Sequence, residues 1–268
     1  MPELPEVETV CRTIAPYVCG RRIEAVRVHE KRLRRRGADD FAERLSGRPI
    51  EGVRRRGKYI IFAIGGGEMW AVHLGMSGRL LVGAKAPGAR HVHIEVDLEG
   101  GRFLHFQDPR RFGASFLLRD EADLGDLGLE PLEDSFDADA LWALRKAHPR
   151  VTIKSLLMDQ RCVVGVGNIY ASEALHRAGV RPSRRCKRLL RREAAVIVEA
   201  VKEVLHYSIE SGGSSLRDYR DAQGNAGAFQ NMLRVYDREG EACGRCGAAI
   251  RARQMGGRNT FWCSGCQR

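Results

Sequence analysis

No stretch of this 268-residue chain is apolar over the length needed to cross a bilayer, and its first residues lack the apolar core of a secretion signal. These gaps argue against a membrane helix or an exported protein and favour the cytoplasm. Acidic residues are in deficit, 34 against 45 lysines and arginines, for a formal net charge of +11. That balance favours a polyanionic partner, with nucleic acid ahead of a membrane surface. No internal repeat is evident. The eight cysteines do not form an even framework: Cys11, Cys19, Cys162 and Cys186 are scattered, and four crowd the last stretch. A metal site plus free thiols in a reducing compartment accounts for this better than disulfides do. The length suffices for a real core and for two domains.

Along the chain, Val7, Val10, Cys11, Ile14 and Val18 recur at helical spacing, with Pro5 suited to a first turn. A strand follows over 21–30, then the basic run Lys31–Arg36 and a short helix around Phe41–Leu45. From Pro49 to Leu118 the pattern is of short strands between Gly-rich turns: 50–53, 59–64, 69–74, 79–82, 91–97, 102–106 and 114–118. Such regular spacing predicts an antiparallel sandwich or barrel. The acidic stretch 121–136 reads as a connection. Beyond it the periodicity turns helical, over 139–147, 152–159, 168–178 and 186–211. Residues 211–228, rich in Gly, Ser and Asn, read as a long loop, of a length that in a compact domain is usually functional or disordered.

Several motifs carry chemistry. Cys243-x2-Cys246 and Cys263-x2-Cys266 are separated by sixteen residues, the spacing of a four-cysteine zinc site. A closed tetrahedral site of that kind is structural, with one Zn2+. Between the pairs, Gly256-Gly257-Arg258 reads as a hairpin tip that presents Arg258 to a phosphate. Gly165, Gly167 and Asn168 form a Gly-rich turn entering a helix, with Asn168 as the expected N-cap, and open N–H groups there suit an anion. With the helix before it, this makes a helix–two-turn–helix. The motifs around His73, Met76 and Asp108-Pro-Arg110-Arg111-Phe112 sit at strand ends. A methionine, an arginine and a phenylalanine there can enter a duplex, although on spacing alone Met76 and Phe112 read first as core packing. Lys58 reads as a phosphate contact or as one surface basic among many. At the start, Pro2 follows a methionine that a small second residue normally allows to be removed. A free secondary amine would result, beside Glu3 and Glu6. Such an amine forms a cationic iminium with a sugar carbon.

In order and spacing these pieces resemble bacterial formamidopyrimidine-DNA glycosylase along nearly the whole chain. The matching runs are Pro2–Thr9, Gly57–Tyr59, His73–Gly78, Asp108–Gly113, Val164–Glu173 and Gly257–Cys263. The resemblance implies an α+β chain with an N-terminal antiparallel β-sandwich and N-terminal helix, then a helix–two-turn–helix domain, then a β-hairpin zinc finger. The implied boundaries are 1–131, 132–229, including a lesion-capping loop, and 230–268. It implies a bifunctional glycosylase and abasic-site lyase that flips and excises oxidised purines, such as 8-oxoguanine and formamidopyrimidines, from duplex DNA, acting as a monomer. Pro2 is the implied nucleophile and Glu3 the acid, with Glu6 and Lys154 in support. Lys58, His73, Asn168 and Arg258 are implied to hold phosphates. Met76, Arg110 and Phe112 are implied to fill the hole left by the base, and His91 and Arg111 are further expected DNA contacts. The nearest alternative is an endonuclease-VIII-type enzyme for oxidised pyrimidines. A non-catalytic zinc-ribbon DNA-binding protein is the alternative from another class.

Overall fold

The computed structural model of the chain describes residues 1–29, 40–83, 90–216 and 219–268. The basic run 31–36 lies outside the described residues, as do Arg217 and Asp218 of the long loop. The chain forms two compact units, residues 1–125 with 209–230, and 126–208 with 231–268.

The first unit is a sandwich with a helix on it. Helix α1 (Leu4–Val18) buries the stripe Val7, Val10, Cys11, Ile14 and Val18, as its 3.6-residue periodicity requires. Eight strands follow: β1 (Ile23–Val28), then, after the short helix α2 (Phe41–Leu45), β2 (Ile50–Arg56), β3 (Tyr59–Ile64), β4 (Glu68–His73), β5 (Arg79–Gly83), β6 (Val92–Leu98), β7 (Arg102–Gln107) and β8 (Ala114–Leu118). They pair antiparallel in two four-stranded sheets, ordered β1-β6-β7-β5 and β2-β3-β4-β8. Val96, Leu104 and Phe106 from one sheet share a core with Ile60, Phe62 and Val72 from the other and with the buried stripe of α1. Trp70 stacks on Phe62 at 4.4 Å between centroids. Its indole N–H is satisfied by Ser115 Oγ at 2.8 Å, so this large ring is buried without an orphaned donor. The expected antiparallel sandwich is thus present, with strands beginning and ending close to the stretches marked off by the Gly-rich turns.

Residues 209–230 return to this unit. Tyr219 and Ala222 enter its core, and Val82 N–H donates to Ala222 O at 3.0 Å.

The second unit holds α3 (Ala138–Ala147), α4 (Ile153–Met158), α5 (Asn168–Arg177), most of α6 (Arg191–Glu210) and the hairpin β9 (Ile250–Met255) with β10 (Arg258–Cys263). Asp137 and Thr152 cap α3 and α4, accepting from the N–H of Ala140 and Ser155. The single helix expected over 186–211 is instead a 3-10 turn at Cys186–Arg188, a break, and α6. The cause is tertiary. The N–H groups of Cys186 and Lys187 donate to Val151 O and Pro149 O, at 2.9 and 3.0 Å, Arg145 binds both their carbonyls, and Leu189 N–H closes back on Cys186 O at 3.0 Å, so tertiary contacts hold this segment as a tight turn ahead of α6.

Candidate active site

Pro2 is buried immediately before α1. Glu3 is the N-cap, and Glu3 and Glu6 form a reciprocal capping box in which Glu3 N–H donates to Glu6 Oε2 at 2.7 Å. The other oxygen of Glu6 accepts the N–H of Ser214 at 2.8 Å, and Tyr219 Oη donates to the Glu6 carbonyl at 3.3 Å. Burial, then the neighbouring Glu6, pushes the Tyr219 phenol well above its ordinary range, so it stays a donor. One carboxylate therefore joins the residue after Pro2 to the loop that follows α6. Gly213 fits here for two reasons: its φ is +83°, and a Cβ would sit 3.1 Å from Glu6 Cγ.

At the rim of the same sandwich, two turns meet backbone to backbone. A Cβ on Gly75 would lie 2.5 Å from the backbone of Phe112 and Gly113. Asp108, fully buried, shapes the second turn. It accepts Ser77 Oγ–H at 2.6 Å, Arg110 N–H at 3.2 Å and Gly113 N–H at 2.8 Å, while its carbonyl takes the His93 ring N–H at 2.6 Å. Arg111 adopts a positive φ of 57°. The result displays Met76 and Phe112 at 40% and 43% exposure. The core-packing reading of these two residues is thereby overturned, since side chains this apolar are left in water by a rigid turn. Arg110 lies over the Phe112 ring at 4.9 Å. His73, at the end of β4, accepts Gly75 N–H on Nδ1 at 3.0 Å, so its neutral ring carries the proton on Nε2. Lys58 is buried at the β2–β3 turn, and His91 is exposed.

In the second unit, Lys154 is 4% exposed. Its ammonium donates to Asn168 Oδ1 and, at 2.7 Å, to Thr260 Oγ1. Asn168 Nδ2 in turn donates to Asn259 O at 2.9 Å. Asn168 is therefore not the N-cap. Gly167 takes that position, and the Asn168 side chain ties α5 to the hairpin. Gly256 and Gly257, with φ of 57° and 75°, form the two-residue hairpin turn, and exposed Arg258 begins the return strand. A cavity of about 190 Å³ is lined by Thr152, Lys154, Ser155 and Arg258 among others.

The four sulfurs of Cys243, Cys246, Cys263 and Cys266 lie within 4.8 Å of one another, with Cys243 and Cys266 at 3.8 Å and Cys246 and Cys263 at 3.5 Å. A tetrahedral zinc with bonds of about 2.3 Å sets its sulfurs about 3.8 Å apart, so the cage fits the ion. Burial opposes a thiolate at Cys243, but the N–H groups of Arg245 and Cys246 overcome it and draw the thiol down to about 7. His176 of α5 places Nε2 3.4 Å from Cys243 Sγ. Burial first, and then Arg245, Arg234 and Arg238, hold that ring down to about 4, hence neutral.

Sequence reasoning missed four organising residues: Asp108, Ser214, Thr260 and Glu173. Buried Glu173 accepts the N–H groups of Arg234, Val235 and Tyr236 at 2.8–2.9 Å and thereby fixes the chain entering the zinc finger. Asp108, Glu173 and Thr260 each lie inside a run that the sequence singles out, but nothing local shows which partner each one holds, and Ser214 carries no local signal.

These parts define a class: a zinc-finger DNA glycosylase built on a β-sandwich and a helix–two-turn–helix unit. Three family models match in succession: the formamidopyrimidine-DNA glycosylase N-terminal domain over residues 1–115, its helix–two-turn–helix domain over 127–220, and the zinc finger found in this glycosylase and in isoleucyl-tRNA synthetase over 240–268. Curated relatives called formamidopyrimidine-DNA glycosylase, from Xanthomonas campestris pv. campestris and Thioalkalivibrio sulfidiphilus, are 45% and 46% identical over the full length of both chains. A solved structure of the Thermus thermophilus MutM (Fpg) protein shares 40% identity at a TM-score of 0.88, covering 99% of this chain and 98% of that one. A Lactococcus lactis Fpg bound to abasic-site DNA shares 34% at 0.91, covering 99% of each. The chain belongs to the formamidopyrimidine-DNA glycosylase family and carries one structural zinc site.

Proposed function

We propose that this enzyme excises oxidised purines, 8-oxoguanine and formamidopyrimidines, from duplex DNA through a covalent intermediate on Pro2, and also cuts abasic sites, as a cytoplasmic monomer. Removal of Met1 frees the Pro2 nitrogen. The target nucleotide leaves the stack, at lower cost for a damaged base. The Pro2 lone pair attacks C1′ as the bond to the base breaks, and Glu3 supplies a proton at the departing base or the opening sugar ring. The resulting iminium is cationic and acidifies C2′–H. Loss of that proton expels the 3′ phosphate, and a second elimination expels the 5′ phosphate. Glu6 holds Glu3 in place.

In this reading Lys58, His73, Asn168 and Arg258 take the phosphates around the extruded nucleotide, the Nε2–H of His73 being suited to donate. Met76 and Phe112 fill the vacated stack, with Arg110 toward the orphaned cytosine. His91 and Arg111 add DNA contacts, and Lys154 supports the site. The functional segments are 1–131, 132–229 and 230–268. The observation that carries the proposal is the buried Pro2 at a helix start whose capping box and loop anchor share Glu6.

The test compares protein processed to Pro2 with protein carrying one extra N-terminal residue. An amide nitrogen has its lone pair in peptide resonance. The extended form should therefore fold and bind duplex yet lose base release, strand cutting and borohydride trapping. The trapped adduct should map to Pro2. An adduct on Lys58 or Lys154, or full activity with the extension, would overturn the mechanism. Faster cleavage of thymine glycol than of 8-oxoguanine would favour the pyrimidine-directed alternative.

A further inference from the structure

Residues 181–192 carry seven arginines and lysines and no acid in twelve positions. Among the described residues, acids pair with two of these cations: Glu193 with Arg184, and Asp139 with Arg191. Arg185, Lys187, Arg188 and Arg192 are exposed and have no carboxylate at ion-pair distance among the described residues. This is not a floppy tail. Its backbone is pinned by Cys186 N–H to Val151 O, Lys187 N–H to Pro149 O, and Ile153 N–H to Arg184 O, at 2.9, 3.0 and 2.9 Å. Arg145 clamps the carbonyls of Cys186 and Lys187 at 2.8 and 2.6 Å while lying 4.3 Å from the ring centroid of Trp142.

The arrangement works against local stability. Arg191 and Arg192 occupy the first turn of α6, where the helix dipole repels cations. Like charges held side by side on a fixed backbone also repel one another. Within the fold Asp139 answers Arg191, the Arg150 carbonyl answers Arg185, and Glu193 shares the first turn of α6, but Lys187, Arg188 and Arg192 have no carboxylate at ion-pair distance among the described residues, so charge is left over for a partner of opposite sign. Exposed guanidinium and ammonium groups on a backbone fixed by hydrogen bonds suit the phosphates of a duplex. The run also borders the start of α4: Thr152 bridges to Arg185 and Lys154 N–H reaches Pro182 O, and Thr152 and Lys154 line the cavity that Arg258 also lines.

We propose that the ridge formed by Arg185, Lys187, Arg188 and Arg192 is a second phosphate-binding surface, which holds undamaged duplex flanking the lesion. The inference rests on DNA being the substrate. The test uses the full zinc-loaded protein and a Lys187→Gln/Arg188→Gln/Arg192→Gln variant. Affinity for unmodified duplexes of roughly 12 and roughly 40 base pairs is measured across a salt series, and 8-oxoguanine excision is measured on the short duplex. Removing one cation from a phosphate flattens the log–log salt slope by about 0.9. The variant should therefore flatten by about 2–3 on the long duplex and be unchanged in binding and excision on the short one. Each single variant should flatten it by about 0.9, which carries the test if the triple variant unfolds. Equal weakening at both lengths would place the ridge in the lesion site. No weakening at either would assign it to an acidic protein partner or to solvent. Either outcome overturns the proposal. Absence of excision by the unaltered protein would instead fail the proposed activity and leave the length dependence standing.

Discussion

Replacing Glu6 with glutamine isolates the link between the N-terminus and the returning loop. The carboxylate accepts two backbone N–H groups, Glu3 at 2.7 Å and Ser214 at 2.8 Å, one on each oxygen. Glutamine has one acceptor and one donor end. The capping position tolerates glutamine, so the amide oxygen should stay with Glu3. Its NH2 then faces the Ser214 N–H, donor against donor. A buried N–H stripped of its acceptor costs about 1–3 kcal/mol. At 1.4 kcal/mol per factor of ten, the anchored loop should open about 5 to 150 times more often. The assay is amide hydrogen exchange on the free protein. Protection should fall by that factor at Ser214 and stay unchanged at Glu3 and along α1. Single-turnover excision should slow, and Glu6→Ala, which removes both acceptors, should lose protection at both amides. Unchanged exchange at Ser214 in Glu6→Gln would refute the idea that this carboxylate anchors the loop.

Arg110→Ala should remove a preference for 8-oxoguanine opposite cytosine over adenine worth about 1–3 kcal/mol, read as single-turnover rates on the two duplexes; an equal ratio before and after would remove Arg110 from that role. Chelating the metal, or Cys246→Ser, should abolish duplex binding while circular dichroism of the sandwich persists. The zinc finger's own core is only Val235, Cys243, Ile250, Phe261 and Cys263 with a few half-buried neighbours, too small to hold Arg258 in place unaided. Lys154→Met should lower thermal stability more than Lys146→Met, because it leaves the buried Thr260 hydroxyl and the Asn168 amide without their donor, whereas Lys146 is exposed. Equal shifts in Tm would show that the buried ammonium contributes nothing.

Much of this molecule was legible in one dimension, because its signals are local. The short apolar runs Tyr59–Ile64 and Ala114–Leu118, each bounded by a turn, give those strands their observed limits, since a run of that length between turn residues fits a strand buried on both faces. The cysteine spacing told of a metal cage because two short turns suffice to bring the pairs together. Gly256-Gly257 marked the hairpin because few other residues take positive φ twice in succession. Where a tertiary partner competed for a backbone group, the local reading failed. Asn168 looked like a cap, but Lys154 and Asn259 claim its side chain. Cys186–Leu190 looked helical, but Arg145 and two distant carbonyls claim its peptide groups.

The sequence by itself determined which residue types were present and where most of the elements lie: the terminal proline with its glutamates, the strands of the sandwich, the cysteine pairs and the excess of cations. The tertiary structure alone decided that Met76 and Phe112 stand in solvent, that the loop after α6 returns to the N-terminal helix, and that Glu6 serves both its neighbour Glu3 and the amide of Ser214, 208 residues further along. The division has a physical reason. Propensity and periodicity act over a few residues, whereas a buried donor must find its acceptor wherever in the chain the fold supplies one.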